Sequence, residues 1–457
     1  MSRGAPASAR SRSILRDGSF VRLWCGTTAS GLATWALPFV LGLAVLDRSL
    51  SAAGLGVVLA ARTVGFLVAV PISGVLADRY SRRGVVLWAG LAAAVATPAI
   101  AAGLATSAVA AGHAASGVAA GLSAPDVAVG EGGSVLLMAV AAAVVGAGQG
   151  ACRPAFQALT AEVVDDGRRR QANAAITFAV RVTTLIAPAG TALLAVVLDT
   201  WMLLVGTGLL WLLAALLPPR GLPAPSGPPA PVPAPGPAPA PGPALAPAPE
   251  RIRLLEEFGE GIREARRHPW FLAGLAALAA VIFTGYSATG VALPLISRDR
   301  YGTEAILAAA LTAYTLGALA GAVLVARWNP RAQGWTALAG LALYGFAPLS
   351  LLLPAHPAAV FAAYAVAGLG IELFNVPWFT ATQREVEPRL LARVSSLDFL
   401  VSYGLAPVGL AFLAPAMDAF GPQPVLAGCA LVCFLAPAAA ALVPTTRGFT
   451  RRAAGRP

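Results

Sequence analysis

Residues 74–83 read Gly-Val-Leu-Ala-Asp-Arg-Tyr-Ser-Arg-Arg, a basic turn between two apolar runs of membrane length. Gly74 lets backbones approach closely, Asp78 places a carboxylate at a helix end, and Arg79, Arg82 and Arg83 hold that end at an anionic surface. A soluble protein has little use for such a turn between two such runs. A membrane protein whose helix ends slide past one another does.

Composition points the same way. The 457 residues are 57% hydrophobic and 12% charged, and the mean hydropathy is +0.73. That is more apolar surface than a soluble globule of this length can hide. Runs of about 20 apolar residues, the length a spanning helix needs, lie near 22–46, 52–76, 84–104, 134–157, 173–198 and 200–217. They resume near 270–296, 303–327, 334–353, 357–380, 394–416 and 422–443. The first run is too long for a signal peptide and lacks a small-residue cleavage site, so it is expected to remain as a membrane helix.

Between the two sets of six, residues 218–249 alternate Pro, Ala and Gly, the composition of an extended linker. Residues 251–267 then carry Ile252, Leu255, Phe258 and Ile262 at helical spacing among charges, which predicts a short amphipathic helix on the membrane surface. Residues 105–133, rich in Ala and Gly and free of arginine, read as a loop. The chain thus divides into a bundle at 1–217, a linker with its amphipathic helix at 218–269, a second bundle at 270–443 and a tail at 444–457.

All 32 basic residues are arginine. With the N-terminus inside, 27 of them fall on cytoplasmic segments, Arg153 and Arg168 to Arg170 included. Three (Arg48, Arg298 and Arg300) fall outside, and two (Arg62 and Arg181) lie within spans. This bias puts both termini in the cytoplasm. It also explains the net charge of +11 as topology, not as nucleic-acid binding. The expected architecture is an all-α membrane protein of twelve transmembrane helices in two six-helix bundles.

Two six-helix halves, a linker and the 74–83 turn together resemble the major facilitator superfamily of secondary transporters. Its signature between helices 2 and 3 is Gly-x-x-x-Asp-Arg-x-Gly-Arg-Arg/Lys; Gly74, Asp78, Arg79, Arg82 and Arg83 match, while Ser81 stands in place of glycine. Further patches resemble the multidrug and siderophore exporters of that superfamily. These are Pro154-Ala155 with Gln157-Ala158-Leu159 and Gln171-Ala172-Asn173-Ala174, Glu257 to His268-Pro269, and Trp378 to Gln383 followed by Arg393 to Asp398. The antiporter motif Gly-Pro-x-x-Gly-Gly is represented only by Ala187-Pro188-Ala189-Gly190-Thr191, which leaves uptake open beside efflux. The resemblance implies alternating access, with Asp78 attracted to the positive end of helix 11 and latching the cytoplasmic gate; a plain topology anchor with solvated charges is the alternative. Ser395 and Ser396 read as caps of that helix.

Ionisable residues inside a membrane are costly enough to suggest function. At about 1.5 Å per residue, Arg62 lies about 14 Å from the outer end of its span and Arg181 about 12 Å from the inner end of its own. Glu372 reads as the one carboxylate clearly inside a span. The resemblance places its helix on the central cavity, so Glu372 is expected to carry the coupling proton, with Arg181 as partner and Arg62 as a further coupling candidate; a static structural pair is the alternative. Tyr286, Phe374 and Asn375 are the candidate substrate contacts. No Walker loop, metal-ligand spacing or Ser-His-Asp pattern stands out, so no enzyme activity, cofactor or metal is expected. The sequence therefore reads as a plasma-membrane transporter, a monomer, whose partners are a small amphipathic substrate, protons and the lipid bilayer. Proton-coupled efflux leads, an uptake permease comes second, and a non-transporting membrane sensor third.

Overall fold

The computed structural model describes residues 14–47, 49–79, 81–119, 125–220, 250–303, 305–328, 330–352 and 356–450. Every regular element among them is helical, as expected where the backbone must satisfy its own hydrogen bonds away from water. The first set comprises α1 (Gly18–Leu46), α2 (Ala52–Arg79), α3 (Arg82–Ala119), α4 (Pro125–Val163), α5 (Arg169–Leu194) and α6 (Thr200–Leu216). After α7 (Glu250–Arg266) come α8 (Pro269–Val281), α9 (Ser287–Tyr301), α10 (Ala305–Arg327), α11 (Gln333–Ala342), α12 (Phe346–Leu352), α13 (Pro357–Glu385), α14 (Leu391–Phe420) and α15 (Pro422–Ala441).

Two of the spans are composite. A π-helical turn at Ile282–Tyr286 joins α8 to α9, and a 3-10 turn at Leu343–Gly345 joins α11 to α12. Eleven helical stretches among the described residues are long and apolar enough to cross a membrane, and the apolar α6 is shorter. Its 17 residues make about 25 Å of helix.

Helices α1 to α6 pack chiefly on one another, as do α8 to α15; the two sets meet where α2 and α4 touch α14 and where α5 touches α10 and α13. Two of the closest pairs, α2 with α4 and α10 with α13, rest on glycine. A Cβ on Gly146 would strike the Arg62 carbonyl, and one on Gly317 would strike that of Ala365. Small residues let membrane helices approach closely enough for dispersion forces to hold them.

Three expectations are corrected. The 105–133 segment is largely helix, α3 running to Ala119 and α4 starting at Pro125; alanine, the strongest helix former, outweighs the scattered glycines. The linker's Pro-rich part at 221–249 lies outside the described residues, but α7 docks on protein, with Gly261, Glu264 and Ala265 buried. Finally, the start of the predicted tail belongs to the core. Phe449 is 1% exposed and sits 5.3 Å from the Trp270 ring and 5.7 Å from that of Trp378. It does so at φ 49°, a left-handed backbone that costs a non-glycine residue about 1–2 kcal/mol. Burial of the ring, about 1.5–3 kcal/mol, offsets that cost.

Candidate functional site

The 74–83 turn lies at the arginine-rich end of the bundle, and its carboxylate is a helix cap supplied from another helix. Leu390, the residue before α14, makes no side-chain cap. Asp78 on α2 does so instead: its Oδ1 accepts from the Ala392 N–H at 3.1 Å and its Oδ2 from the Arg393 N–H at 2.9 Å. The first turn of a helix leaves such donors unpaired, and a carboxylate there also meets the positive end of the helix dipole. Ser395 and Ser396 are not caps, because α14 begins at Leu391, and the Ser396 hydroxyl donates back to the Arg393 carbonyl at 2.7 Å. A Cβ on Gly74 would come within 2.8 Å of the Ala392 carbonyl oxygen and of Ser396 Oγ. Glycine at 74 therefore sets how closely α2 and α14 meet.

The arginines of the turn reach different neighbours. Arg82 pairs with Glu162 of α4 at 2.7 Å and with Asp78 at 3.5 Å, and it donates to the Pro388 carbonyl just before α14. Arg79 pairs with Glu257 of α7 at 3.3 Å. Arg393 pairs with Glu257 at 3.1 Å and with Glu260 at 2.6 Å. Arg83 turns away from this contact and donates to the Leu216 carbonyl at the end of α6. Ser81 needs no left-handed backbone: its hydroxyl accepts from the Gly84 N–H at 3.1 Å and so caps α3.

Polar residues of α4, α5 and α13 form a second clasp at the same end. Arg169 donates to the Gln383 carbonyl at 2.9 Å. The Asn173 amide donates to Gln383 Oε1 at 2.9 Å and to Thr380 at 3.0 Å, and Gln383 donates to Gln157 Oε1 at 2.8 Å. These contacts tie α4 and α5 to α13. Their sequence signal is faint, being amides at the ends of apolar runs.

Midway along the helices, Arg181 of α5 and Glu372 of α13 form an ion pair, Nε to Oε1, at 2.6 Å. The Glu372 side chain is fully buried. Asn375 donates to its other oxygen at 3.4 Å, and the Arg181 guanidinium lies 5.7 Å from the centre of the Tyr314 ring. Arg62 does not join this pair. Its Nη2 donates to the Thr34 carbonyl at 3.0 Å and to Gln149 Oε1 at 2.7 Å, linking α2 to α1 and α4.

Two further charges lie inside spans. Arg153, expected on a cytoplasmic segment, is ten residues inside the end of α4, with its guanidinium 4.5 Å from the centre of the Tyr403 ring. The apolar run around it simply continues further than its charge suggests. Asp398 is a second buried carboxylate, accepting from the Trp378 indole at 3.2 Å.

The candidate substrate contacts divide. Tyr286, in the π turn, is 53% exposed and within electrostatic reach of Arg181 and Tyr403. Asn375 borders Glu372. Phe374 faces no open space: it is fully buried and stacked on Trp378 at 5.2 Å. No cluster of three or more His, Cys, Asp or Glu that could hold a metal ion occurs among the described residues.

Among the described residues, the ion pairs and side-chain hydrogen bonds that join α1–α6 to α8–α15 lie at the arginine-rich end or at mid-depth. Such an arrangement can hold one end shut while leaving the other free to part.

The family model of the Major Facilitator Superfamily matches residues 23–411. No curated protein matches the chain. Among solved structures, the fold is similar to a bacterial homologue of the iron transporter ferroportin in an outward-facing state. That match has TM-score 0.66 and 16% identity and covers 93% of this chain and 99% of that one. It is similar to the human organic anion transporter MFSD10 (TETRAN), at TM-score 0.66 and 16% identity, covering 94% of this chain and 100% of that one. The proton:xylose symporter XylE follows at TM-score 0.61 and 13% identity, covering 92% and 94%. At such identities the likeness is one of fold.

Proposed function

Because the chain belongs to the Major Facilitator Superfamily, we propose that it is a secondary active transporter exporting small amphipathic compounds across the plasma membrane in exchange for protons. In this reading both termini are cytoplasmic, α6 completes twelve spans, and the bundles 1–217 and 270–443 rock about a central site. The chain works as a monomer. The arginine-rich end is then the cytoplasmic gate, closed by Asp78 and by the Gln383 clasp, and the described conformation faces outward.

The observation that carries this reading is the Arg181–Glu372 pair. It is a buried carboxylate held at mid-depth by a guanidinium from the other set of helices. Removing one partner from such a pair leaves an uncompensated charge, so rocking that separates α5 from α13 favours uptake of a proton by Glu372. Closing the pair again favours its release. Proton occupancy and helix position are thereby linked.

The test uses proteoliposomes holding the purified protein under an imposed pH gradient. Substrate flux should collapse when the gradient is dissipated, and Glu372→Gln should abolish the pH-driven component. Undiminished pH-driven flux in Glu372→Gln would rule out the coupling role. A second reading, proton-coupled uptake, draws on the same pair. Protonating Glu372 releases Arg181 to an anionic group, so proton and anion would load together. Comparing inside-out with right-side-out vesicles separates the two.

A further inference from the structure

The geometry points to an anion site between the two sets of helices, at the depth of Arg62 and Arg153, and to a small organic anion with an apolar or aromatic body as the cargo. This rests on the transporter reading above and deepens it by assigning the charge class of the substrate.

The first argument is the charge left over. Arg62, Arg153 and Arg181 bring three guanidiniums into the middle of the bundle, and only Arg181 meets a carboxylate. The polar partners of Arg62 are neutral, a backbone carbonyl and an amide. Arg153 lies over a phenol ring. The Nε atoms of both are buried and donate no hydrogen bond among the described residues. Asp398 forms no ion pair with either of them among the described residues and accepts from the Trp378 indole instead.

Several arginines outside the centre are paired. At the arginine-rich end Arg79, Arg82 and Arg393 each hold a glutamate. Arg83 at that end has only a backbone carbonyl among the described residues, but an unpaired charge is most costly at the centre, where the dielectric is low. A structural role for Arg62 and Arg153 would be served better by paired or apolar side chains.

The second argument is placement. Gln149 and Arg153 are four residues apart on α4, and Arg62 and Phe66 four apart on α2, so each pair shares a helix face. Gln149 holds Arg62, and the Phe66 and Tyr403 rings lie 5.0 Å apart. Arg153 and Arg62 are near enough to repel each other. These five side chains therefore form one patch with two guanidiniums and two rings. Phe66 and Gln149 are buried while Tyr403 is 39% exposed, so a ligand reaches the patch along Tyr403. A carboxylate, sulfonate or phosphate ester fits the guanidinium fork, and its apolar body fits the rings. A cation would meet an excess of like charge and a carboxylate already engaged.

The test uses the full-length protein in detergent and isosteric sets of probes. These are naphthoate, naphthamide and naphthyl-trimethylammonium; toluenesulfonate and toluenesulfonamide; phenyl phosphate and phenol. Affinities come from thermal shift and are checked by calorimetry. At least one anion should bind about tenfold or more tighter than its neutral partner, a gap of roughly 1.4 kcal/mol, with the cation weakest. Arg153→Gln and Arg62→Gln should each erase that preference, while Arg298→Gln keeps it. Arg153→Lys, which keeps the charge without the fork, should fall between and guards against misfolding of the neutral variants.

Equal binding of all three classes, tighter binding of the cation, no binding by any probe, or an unchanged preference in folded Arg153→Gln would overturn the assignment. The transporter reading fails separately. Anion binding without flux under a pH gradient would sink that reading and leave the site, whereas flux of neutral or cationic probes with no preference for anions would do the reverse.

Discussion

The Asp78 carboxylate on α2 spans the backbone amides of Ala392 and Arg393, so that the first turn of α14 is capped by a residue more than three hundred positions earlier in the chain. Asp78→Asn keeps the shape but offers one acceptor oxygen and no charge. A hydrogen bond to a charged group is worth about 1.5–3 kcal/mol, so the closed arginine-rich end should lose about that much relative to the open one. Initial rates in proteoliposomes should show turnover falling about tenfold with KM nearly unchanged. The reverse pattern would move Asp78 from the gate to the substrate.

Gly74→Leu tests the same contact through sterics. Even a Cβ would meet the Ala392 carbonyl oxygen and Ser396 Oγ at 2.8 Å, so a larger side chain must push α2 and α14 apart. Spin labels on the two helix ends should report a longer separation in the variant than in the parent. An unchanged distance distribution would mean that the helices relax by another route.

Arg181→Gln should be more damaging than Arg181→Gln with Glu372→Gln. The single change strands a fully buried carboxylate, at a cost of about 3–5 kcal/mol, and the second change removes the stranded charge. Unfolding in mixed micelles measures both. Equal destabilisation by the single and double variants would show that the pair contributes little to the fold.

Phe449→Ala empties a place in the aromatic cluster of Trp270, Phe374 and Trp378. Removing a buried phenylalanine ring costs about 3–5 kcal/mol. The loss should appear as earlier unfolding of the second set of helices, followed by tryptophan fluorescence. A loss below about 1 kcal/mol, nearer the scale of a surface change, would place Phe449 outside the cooperative core.

Long-range patterns in this protein are legible from its residues, and lateral contacts are not. Apolar length announces the spans, and the 74–83 turn announces a helix junction with a carboxylate at its end. Which amides Asp78 caps could not be read from Ser395 and Ser396, because a cap borrowed from another helix leaves no local signature. Arg153 shows the opposite failure: one charge near the end of an apolar run looks like a boundary until the turns beyond it are seen to stay helical. Phe374 and Asn375 are neighbours in sequence, yet they face the aromatic core and the Glu372 carboxylate respectively. A helix turns about 100° per residue, so depth in a span does not say which way a side chain points.

Helix α7 holds Arg79 of α2 and Arg393 of α14 through one residue, Glu257, with Glu260 reinforcing the second grip. It therefore straddles the seam that parts in the proposed transport cycle. The segment joining the two halves is in this respect a travel stop. It bears the same load as the cap at Asp78, and the reach of two glutamate side chains limits how far the halves can swing before α7 must let go of one of them.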